Sequence, residues 1–479
     1  MARRSRKVPN LALALLIFAA SYIPASADPP AFPLKVAPGG RYLIDQRGHP
    51  FFIVGDSPQS IYANVPLAEA DAYLAARQAQ GFNAILADPT YDSLGKRARR
   101  AANGELAFLK NVDGGPYDGT LGTADFSTPN PRYWDYVDTV MQHAQDHGFL
   151  VVQYVVSWGY GGRGLWNDLI NRVNSEAICY AFGKFLGARF RDRANVIWVD
   201  GSDFNGDERP RAPDRTTGIE RALAVLRGMR AAGALQLRTG DWMADSLSTD
   251  QKLFAPFMEI NGVYAYGDKI GAYATYHEAR LAYQHTPPLP AFLKETGYEA
   301  EDLIPGDPAS VRKYEWWAVL SGATNGLLYG HGAIWPFKAG EWQKALGAPG
   351  GHDVQRMGAL MRGLAWQNLV PSGLAGMRRL VTSDNGSPEP PSPRYVAAAA
   401  TPDGRLLLAY VPPFQSGAQH LTLDLGGMKG TLAAEWWDPT SARTQPAGAR
   451  LGAGETAFTT PGANRAGAND WVLVVQSRG

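Results

Sequence analysis

Eight short apolar runs recur along the chain, each closing on a polar or aromatic residue just before a loop. They occupy residues 51–56, 83–88, 149–158, 195–203, 235–241, 257–266, 288–295 and 326–335. Segments with apolar positions at helical spacing lie between most of them, at 67–80, 133–147, 176–191, 217–232, 272–285 and 307–321. The first of these stops at Gly81, where a helix C-terminal glycine belongs. Strands and helices alternating at this spacing predict a parallel sheet, and eight units predict closure into a (β/α)8 TIM barrel of the α/β class. In such a barrel the C-terminal strand ends share one face, and active sites are built there.

The pattern changes at both ends of this region. Residues 33–50 read as a β-hairpin, with turns at Gly39-Gly40 and at 46–48, leading into the first strand. After a last helix over 352–367 the chain becomes short alternating runs at 394–400, 405–411, 419–425, 433–439 and 470–475. Asp403-Gly404 and Gly426-Gly427 supply turn signals between them, so residues 369–479 predict a small antiparallel β-sandwich. The catalytic unit then spans 33–368. One connection, 89–130, is too long for a plain loop and predicts a segment folded over the barrel mouth.

Residues 1–27 predict a secretory signal: Arg3, Arg4, Arg6 and Lys7 precede an apolar stretch over 11–20, and Ala25-Ser-Ala27 ends it as a small-residue cleavage site. Its removal leaves 42 basic against 45 acidic residues, a net charge of −3. A near-neutral protein has no electrostatic case for binding nucleic acid or an anionic membrane. We therefore expect a monomeric periplasmic or secreted protein, free of the membrane once the signal is gone. The lone Cys179 cannot form an intrachain disulfide and reads as a small buried side chain. The chain carries 13 Trp and 21 Tyr, an aromatic excess that in an exported protein suits stacking on sugars.

The fourth and seventh runs end in the carboxylates Asp203 and Glu295: Asn195-Val-Ile-Trp-Val-Asp-Gly-Ser-Asp203 and Leu289-Pro-Ala-Phe-Leu-Lys-Glu295-Thr-Gly. Two carboxyls facing each other across a barrel mouth are what glycoside hydrolysis needs. Asp200 and Glu299 are their rivals, but strand alternation need not aim Asp200 at the same place, and Glu299 falls in the following loop. Asp56, His331 and Trp335, at other strand ends, are candidate sugar contacts, with Tyr91, Trp158 and Tyr266 behind them. The eight histidines show no metal-binding spacing, so neither metal nor cofactor is expected. No Gly-x-Ser-x-Gly elbow follows a strand, which argues against a Ser-His-Asp hydrolase.

The ordered set Gly40-Arg-Tyr-Leu-Ile-Asp-Gln46, Phe52-Ile-Val-Gly-Asp56, Gly81-Phe-Asn83, Asn195 to Asp203, Glu295-Thr-Gly-Tyr-Glu299 and Tyr329-Gly-His-Gly-Ala-Ile-Trp335 resembles the apiosidase-like glycoside hydrolases, family 140. The tail, with Trp436-Trp-Asp-Pro-Thr and Asn469-Asp-Trp-Val-Leu-Val, resembles the sandwich fused behind that domain, which carries a collagen-binding label that nothing in these strands explains. The resemblance implies a retaining glycosidase acting on a branched plant polysaccharide. It assigns the acid/base to Asp203, where Trp198-Val-Asp-Gly-Ser-Asp203 stands for Trp-x-x-Gly-Gly-Asp, and the nucleophile to Glu295. The chain departs from the family at Thr296 and Gly297, in the cation Lys294 beside the nucleophile, and at Arg238-Thr-Gly-Asp241 and Tyr264-Ala-Tyr-Gly-Asp268, which lack the family's histidines. Another pentofuranoside or a deoxysugar is an alternative substrate, and a non-catalytic carbohydrate- or matrix-binding protein is an alternative of another class.

Overall fold

The computed structural model describes residues 29–90, 98, 100–159, 164–204, 216–266, 271–301, 305–414 and 416–478. The expected secretory segment and Tyr91 lie outside the described residues.

A two-strand hairpin, β1 (Lys35–Val36) and β2 (Leu43–Ile44), precedes the barrel. The parallel strands are β3 (Ile53–Asp56), β4 (Ala84–Ala87), β5 (Leu150–Tyr154), β6 (Val196–Gly201), β7 (Arg238–Asp241), β9 (Asn261–Ala265), β10 (Ala291–Thr296) and β11 (Gly326–Tyr329). The short β8 (Ser246–Leu247) runs antiparallel to β9. The sheet order β7-β6-β5-β4-β3-β11-β10-β9-β8 is that of a barrel opened between β7 and β9. That seam is bridged by the Ile260 N–H donating to the Arg238 carbonyl at 3.1 Å. Ser248 spans it as well, accepting from the Gly262 N–H at 2.9 Å and donating to the Gly240 carbonyl at 2.9 Å. The eight-stranded barrel expected from the periodicity is therefore present. The two-residue β8 is too short to leave a pattern in the sequence.

Strand pleating sorts side chains into two layers. Ile53, Leu86, Val152, Ile197, Val199 and Phe292 fill the lumen, and Leu34 and Leu43 of the hairpin belong to the same core and cap it. Their neighbours Val54, Ile85, Val151, Trp198 and Leu293 face the surrounding helices. Those helices are α1 (Leu67–Ala79), α2 (Pro131–Asp146), the short α3 (Trp166–Leu169), α4 (Glu176–Phe190), α5 (Gly218–Ala231), α6 (Ala274–Gln284), α7 (Pro308–Ser321), the short α8 (Trp342–Ala345) and α9 (Pro349–Arg362). Asn130, Ser175, Thr217 and Asp307 accept backbone N–H bonds at the starts of α2, α4, α5 and α7, satisfying donors that a helix start leaves open. Cys179 is buried in α4, as expected. The described part of the 89–130 connection is anchored on the helical layer. Phe108 and Phe126 pack on Phe182 with ring centroids 5.3 and 5.1 Å away, and the Ala124 N–H donates to Asp168 at 2.6 Å.

Behind the barrel, β12 (Val370–Pro371), β13 (Ala397–Ala400), β14 (Leu406–Val411), β16 (Thr431–Trp437), β17 (Thr444–Leu451) and β19 (Trp471–Arg478) form one sheet in the order β12-β13-β14-β19-β16-β17. A second sheet pairs β15 (His420–Asp424) with β18 (Glu455–Thr459). The antiparallel sandwich is as expected, with β12, β17 and β18 added. β17 and β18 are mostly exposed, and Phe458 is the one fully buried residue in the two strands, so little apolar alternation is left to read. The larger sheet is buried on both faces: Ala398, Leu407, Ala409, Trp436 and Leu473 face the small sheet, while Ala397, Leu408, Tyr410, Trp437 and Val472 join the barrel's own core. Arg312 of α7 locks this junction. It pairs with Asp470 through two bonds of 2.7 Å and with Asp353 through a third of 2.7 Å.

Candidate active site

Asp203 and Glu295 come together at the C-terminal end of the barrel, and each is aimed there by a break in regular strand geometry. β6 places Ile197 and Val199 inward, so Trp198 and Asp200 point to the helices. Asp200 is spent there in a buried ion pair with Arg238 at 2.8 Å. The chain then turns through three successive positive φ angles, 116° at Gly201, 87° at Ser202 and 52° at Asp203. Gly201 is obligatory, because a Cβ there would lie 1.8 Å from the Asp241 carbonyl oxygen. The Ser202 N–H donates to that same carbonyl at 3.1 Å, pinning the turn to β7. Non-glycine residues held at positive φ mark stored strain, which collects at functional sites.

On β10 the device is different. Leu293 pairs with Val263, but Glu295 pairs with Tyr264, so Lys294 is one residue more than β9 can match. Such a bulge re-aims side chains. Here it turns both Lys294 and Glu295 into the barrel mouth, with the Lys294 ammonium 3.2 Å from Glu295 and 2.8 Å from Asp241. The ammonium also lies 4.3 Å from the centre of the Tyr264 ring. Tyr298 donates to Glu295 at 2.8 Å and itself accepts from Gln59 at 2.9 Å. Tyr264 donates to Asp203 at 2.6 Å, and Tyr154 donates to Asp241.

Burial pushes the Asp203 carboxyl up to about 8, with the negative charges of Asp241 and Glu295 adding to it and Tyr264 and Lys294 opposing. Burial also raises Glu295, to about 7, against the pull of the adjacent Lys294 ammonium. Lys294 loses affinity for its proton through burial but more than regains it from Asp241 and Glu295, and ends above its ordinary value. A site holding one carboxyl as an acid beside another that ionises more readily can combine proton donation with nucleophilic attack.

The other expected contacts divide. Tyr266 lies at the mouth, in a cluster with Tyr264, Tyr298 and Ala244 on which Trp335 packs, and its hydroxyl donates to Glu301 at 3.0 Å. Trp335 and His331 sit on the turn after β11, not on the strand itself, since β11 ends at Tyr329. His331 is half-buried and accepts the Ala333 N–H on Nδ1 at 3.0 Å, leaving Nε2 to carry the ring proton. Asp56 needs correction as a sugar contact. Pleating turns it outward, where Tyr73 and Arg77 each donate to it at 2.6 Å, and it has no exposed surface. Trp158 is likewise buried at 2% exposure in the helix-facing core. Glu299 accepts from Tyr329 at 2.5 Å and from the Gly350 N–H at the start of α9 at 2.9 Å, a supporting position.

Asp241, Tyr154, Tyr264 and Tyr298 were missed as members of the site. Three of them carried a usable signal: Tyr154, Asp241 and Tyr264 fall on the inward phase of their strands, counted from the apolar lumen residues. Tyr298, in the loop after the bulge, carried another: it is the tyrosine of the Glu295-Thr-Gly-Tyr-Glu299 motif.

The family model "Apiosidase-like, catalytic domain" matches residues 37–368. The model "Putative collagen-binding domain of a collagenase" matches residues 387–476. No curated protein matches the chain. Among solved structures, one described as a glycoside hydrolase superposes with a TM-score of 0.73 at 20% identity, over 93% of this chain and 97% of that one. A glycoside hydrolase family 5 protein from Bacteroides vulgatus ATCC 8482 superposes with a TM-score of 0.73 at 22% identity, over 93% of both chains. These two likenesses concern the fold, a barrel with its trailing sandwich.

Proposed function

The chain belongs to the apiosidase-like family of glycosidases, and from that premise we propose that it hydrolyses a sugar side chain of a plant-type polysaccharide with retention of anomeric configuration. The observation that carries the reading is the pair of carboxyls joined at the mouth by one short chain of contacts: the Lys294 ammonium, 3.2 Å from Glu295, lies 4.3 Å from the ring of Tyr264, whose hydroxyl donates to Asp203 at 2.6 Å.

In the first step a Glu295 carboxylate oxygen attacks the anomeric carbon. Asp203 gives its proton to the departing glycosidic oxygen as that C–O bond breaks, leaving a glycosyl ester on Glu295. Ester formation removes the negative charge of Glu295, so the affinity of Asp203 for a proton falls and it becomes the base for the second step. It then takes a proton from water as the water oxygen attacks the anomeric carbon, the ester bond breaks, and both carboxyls return to their starting states. The tyrosines and Trp335 at the mouth supply ring faces and hydroxyls suited to a small sugar.

Apiose is the reference substrate for this reading, with another pentofuranose or a deoxysugar as the variants to compare. The segment 1–27 supports export, which would bring the enzyme to its polysaccharide outside the cytoplasm. The test has two parts. Chromatography of monosaccharides released from pectic and arabinose-rich polysaccharides identifies the sugar, and proton NMR of the first product reads its configuration. In Glu295→Ala activity should vanish and return partly with azide, giving a glycosyl azide of inverted configuration. Azide product of retained configuration, or full activity in both Glu295→Ala and Asp203→Ala, would overturn the roles.

A further inference from the structure

Among the described residues, three carboxyls converge inside the mouth, Asp203, Asp241 and Glu295, with one ammonium, Lys294, among them. With every group ionised the cluster would carry two net negative charges in a buried space, so one proton is expected to remain on a carboxyl. Which carboxyl holds it decides which acid can donate and which can attack. The bulge in β10 exists where this choice is made. A regular strand would turn Lys294 and Glu295 to opposite faces, whereas the extra residue brings both into the mouth.

The ammonium is fixed from three sides: Asp241 at 2.8 Å, Glu295 at 3.2 Å and the Tyr264 ring at 4.3 Å. Asp241 is in turn held by Tyr154. Lys294 forms ion pairs with Asp241 and Glu295 but not with Asp203, whose bond comes from the neutral Tyr264 hydroxyl. We propose that Lys294 is a positioning residue that assigns the proton of the site, holding Glu295 as the anion and leaving the proton on Asp203. This rests on the reading of Glu295 as nucleophile and Asp203 as acid/base, and explains how two buried carboxyls take different roles.

The other groups facing Glu295 do not make this choice. Tyr298 donates to it from the following loop, and Tyr154 of β5, Tyr264 of β9 and Tyr266 just after β9 bring neutral hydroxyls. Asp241 brings negative charge from β7 that raises the proton affinity of Glu295, and the charges of Asp241 and Glu295 raise that of Asp203 on the turn after β6. Only Lys294 among these described neighbours brings positive charge.

The experiment needs no substrate. The full chain, labelled with ¹³C at the side-chain carboxyls of Asp and Glu, is titrated by NMR, with Asp203 and Glu295 assigned from the signals lost in Asp203→Asn and Glu295→Gln. In the unsubstituted protein Glu295 should titrate below Asp203. In Lys294→Met the Glu295 midpoint should rise by about 1 to 3 pH units, the effect of a contacting opposite charge. The proposal is overturned if Glu295 titrates above Asp203 in the unsubstituted protein, or if a folded Lys294→Met leaves its midpoint within about 0.5 unit. If Lys294→Met does not fold, Lys294→Gln serves in its place, and the order in the unsubstituted protein decides by itself. A flat response in Lys294→Met with intact azide rescue in Glu295→Ala would remove the role of Lys294 and leave the hydrolytic reading standing.

Discussion

Replacing Tyr264 with phenylalanine isolates one hydroxyl, because the ring face beneath the Lys294 ammonium is kept while the 2.6 Å bond to Asp203 is lost. A hydrogen bond to a charged group contributes about 1.5–3 kcal/mol and one to a neutral group about 0.5–1.5 kcal/mol. Tyr264 can donate to Asp203 in either protonation state, so only the difference, about 1–1.5 kcal/mol, changes the balance between them. That is about one pH unit. The sign follows from which form gains more: the bond favours the carboxylate, so its loss favours the protonated acid and moves Asp203 further up. Free-enzyme kcat/KM against pH, measured on an aryl glycoside with a poor leaving group, reports this as the basic limb set by the acid. In Tyr264→Phe that limb should move up by about one unit, and deglycosylation should slow because the base is harder to form. A basic limb that stays in place or moves down would refute the reasoning, since either would mean that Asp203 is not the group the Tyr264 hydroxyl acts on, or not the acid.

Three further outcomes follow from the same geometry. Asp203 at about 8, Asp168 at about 7 and Asp353 at about 6 hold protons that the unfolded chain would release, so stability should fall as pH rises from about 4 toward 8. Thermal unfolding should occur at a lower temperature near pH 8 than near pH 5, and Asp203→Asn should raise the midpoint more at the higher pH; an equal gain at both would contradict the linkage. Gly201→Ala forces a Cβ against the Asp241 carbonyl at positive φ, which should cost at least about 1–3 kcal/mol in denaturant unfolding and abolish turnover by displacing Asp203. Arg312→Met leaves Asp470 and Asp353 without their buried guanidinium and should cost about 3–5 kcal/mol, seen as a lower urea midpoint. Because the sandwich shares the barrel's core, that loss should appear in one joint transition monitored by tryptophan fluorescence, not in a separate early melting of residues 369–479.

The barrel was legible because burial writes itself into sequence at period two. Ile53 and Val54, Leu86 and Ile85, and Val152 and Val151 alternate between lumen and helix layer, and both layers are apolar, so each strand reads as a continuous run. The same pleat, followed one residue further, would have turned Asp56 and Asp200 outward toward Arg77 and Arg238. Reading a carboxylate at a strand end as a site residue without counting its phase led to the expectation for Asp56. Trp158 was misplaced for another reason: it lies past the end of β5, where no pleat governs direction, and its indole is drawn into the apolar layer. The exposed rim strands β17 and β18 left little periodic trace because only Phe458 in them is fully buried.

Phase counting fails where the chemistry is concentrated, and for a physical reason. By strict alternation inward Lys294 would put Glu295 outward, yet the unmatched residue in β10 returns it to the mouth. By the same rule the inward series Ile197 and Val199 would continue to Gly201, which has no side chain, so β6 presents its acid only through the left-handed turn that follows. Both acids therefore depend on irregular backbone that a one-residue change would undo, and in the turn only Gly201 is a residue that positive φ favours. The strands around them supply what keeps it in place: the Asp241 carbonyl receives the Ser202 N–H, and the Asp241 carboxylate receives the Lys294 ammonium. A single residue of β7 thus ties the turn that carries Asp203 to the bulge that carries Glu295. That double link accounts for an aspartate that is almost fully buried at the end of β7.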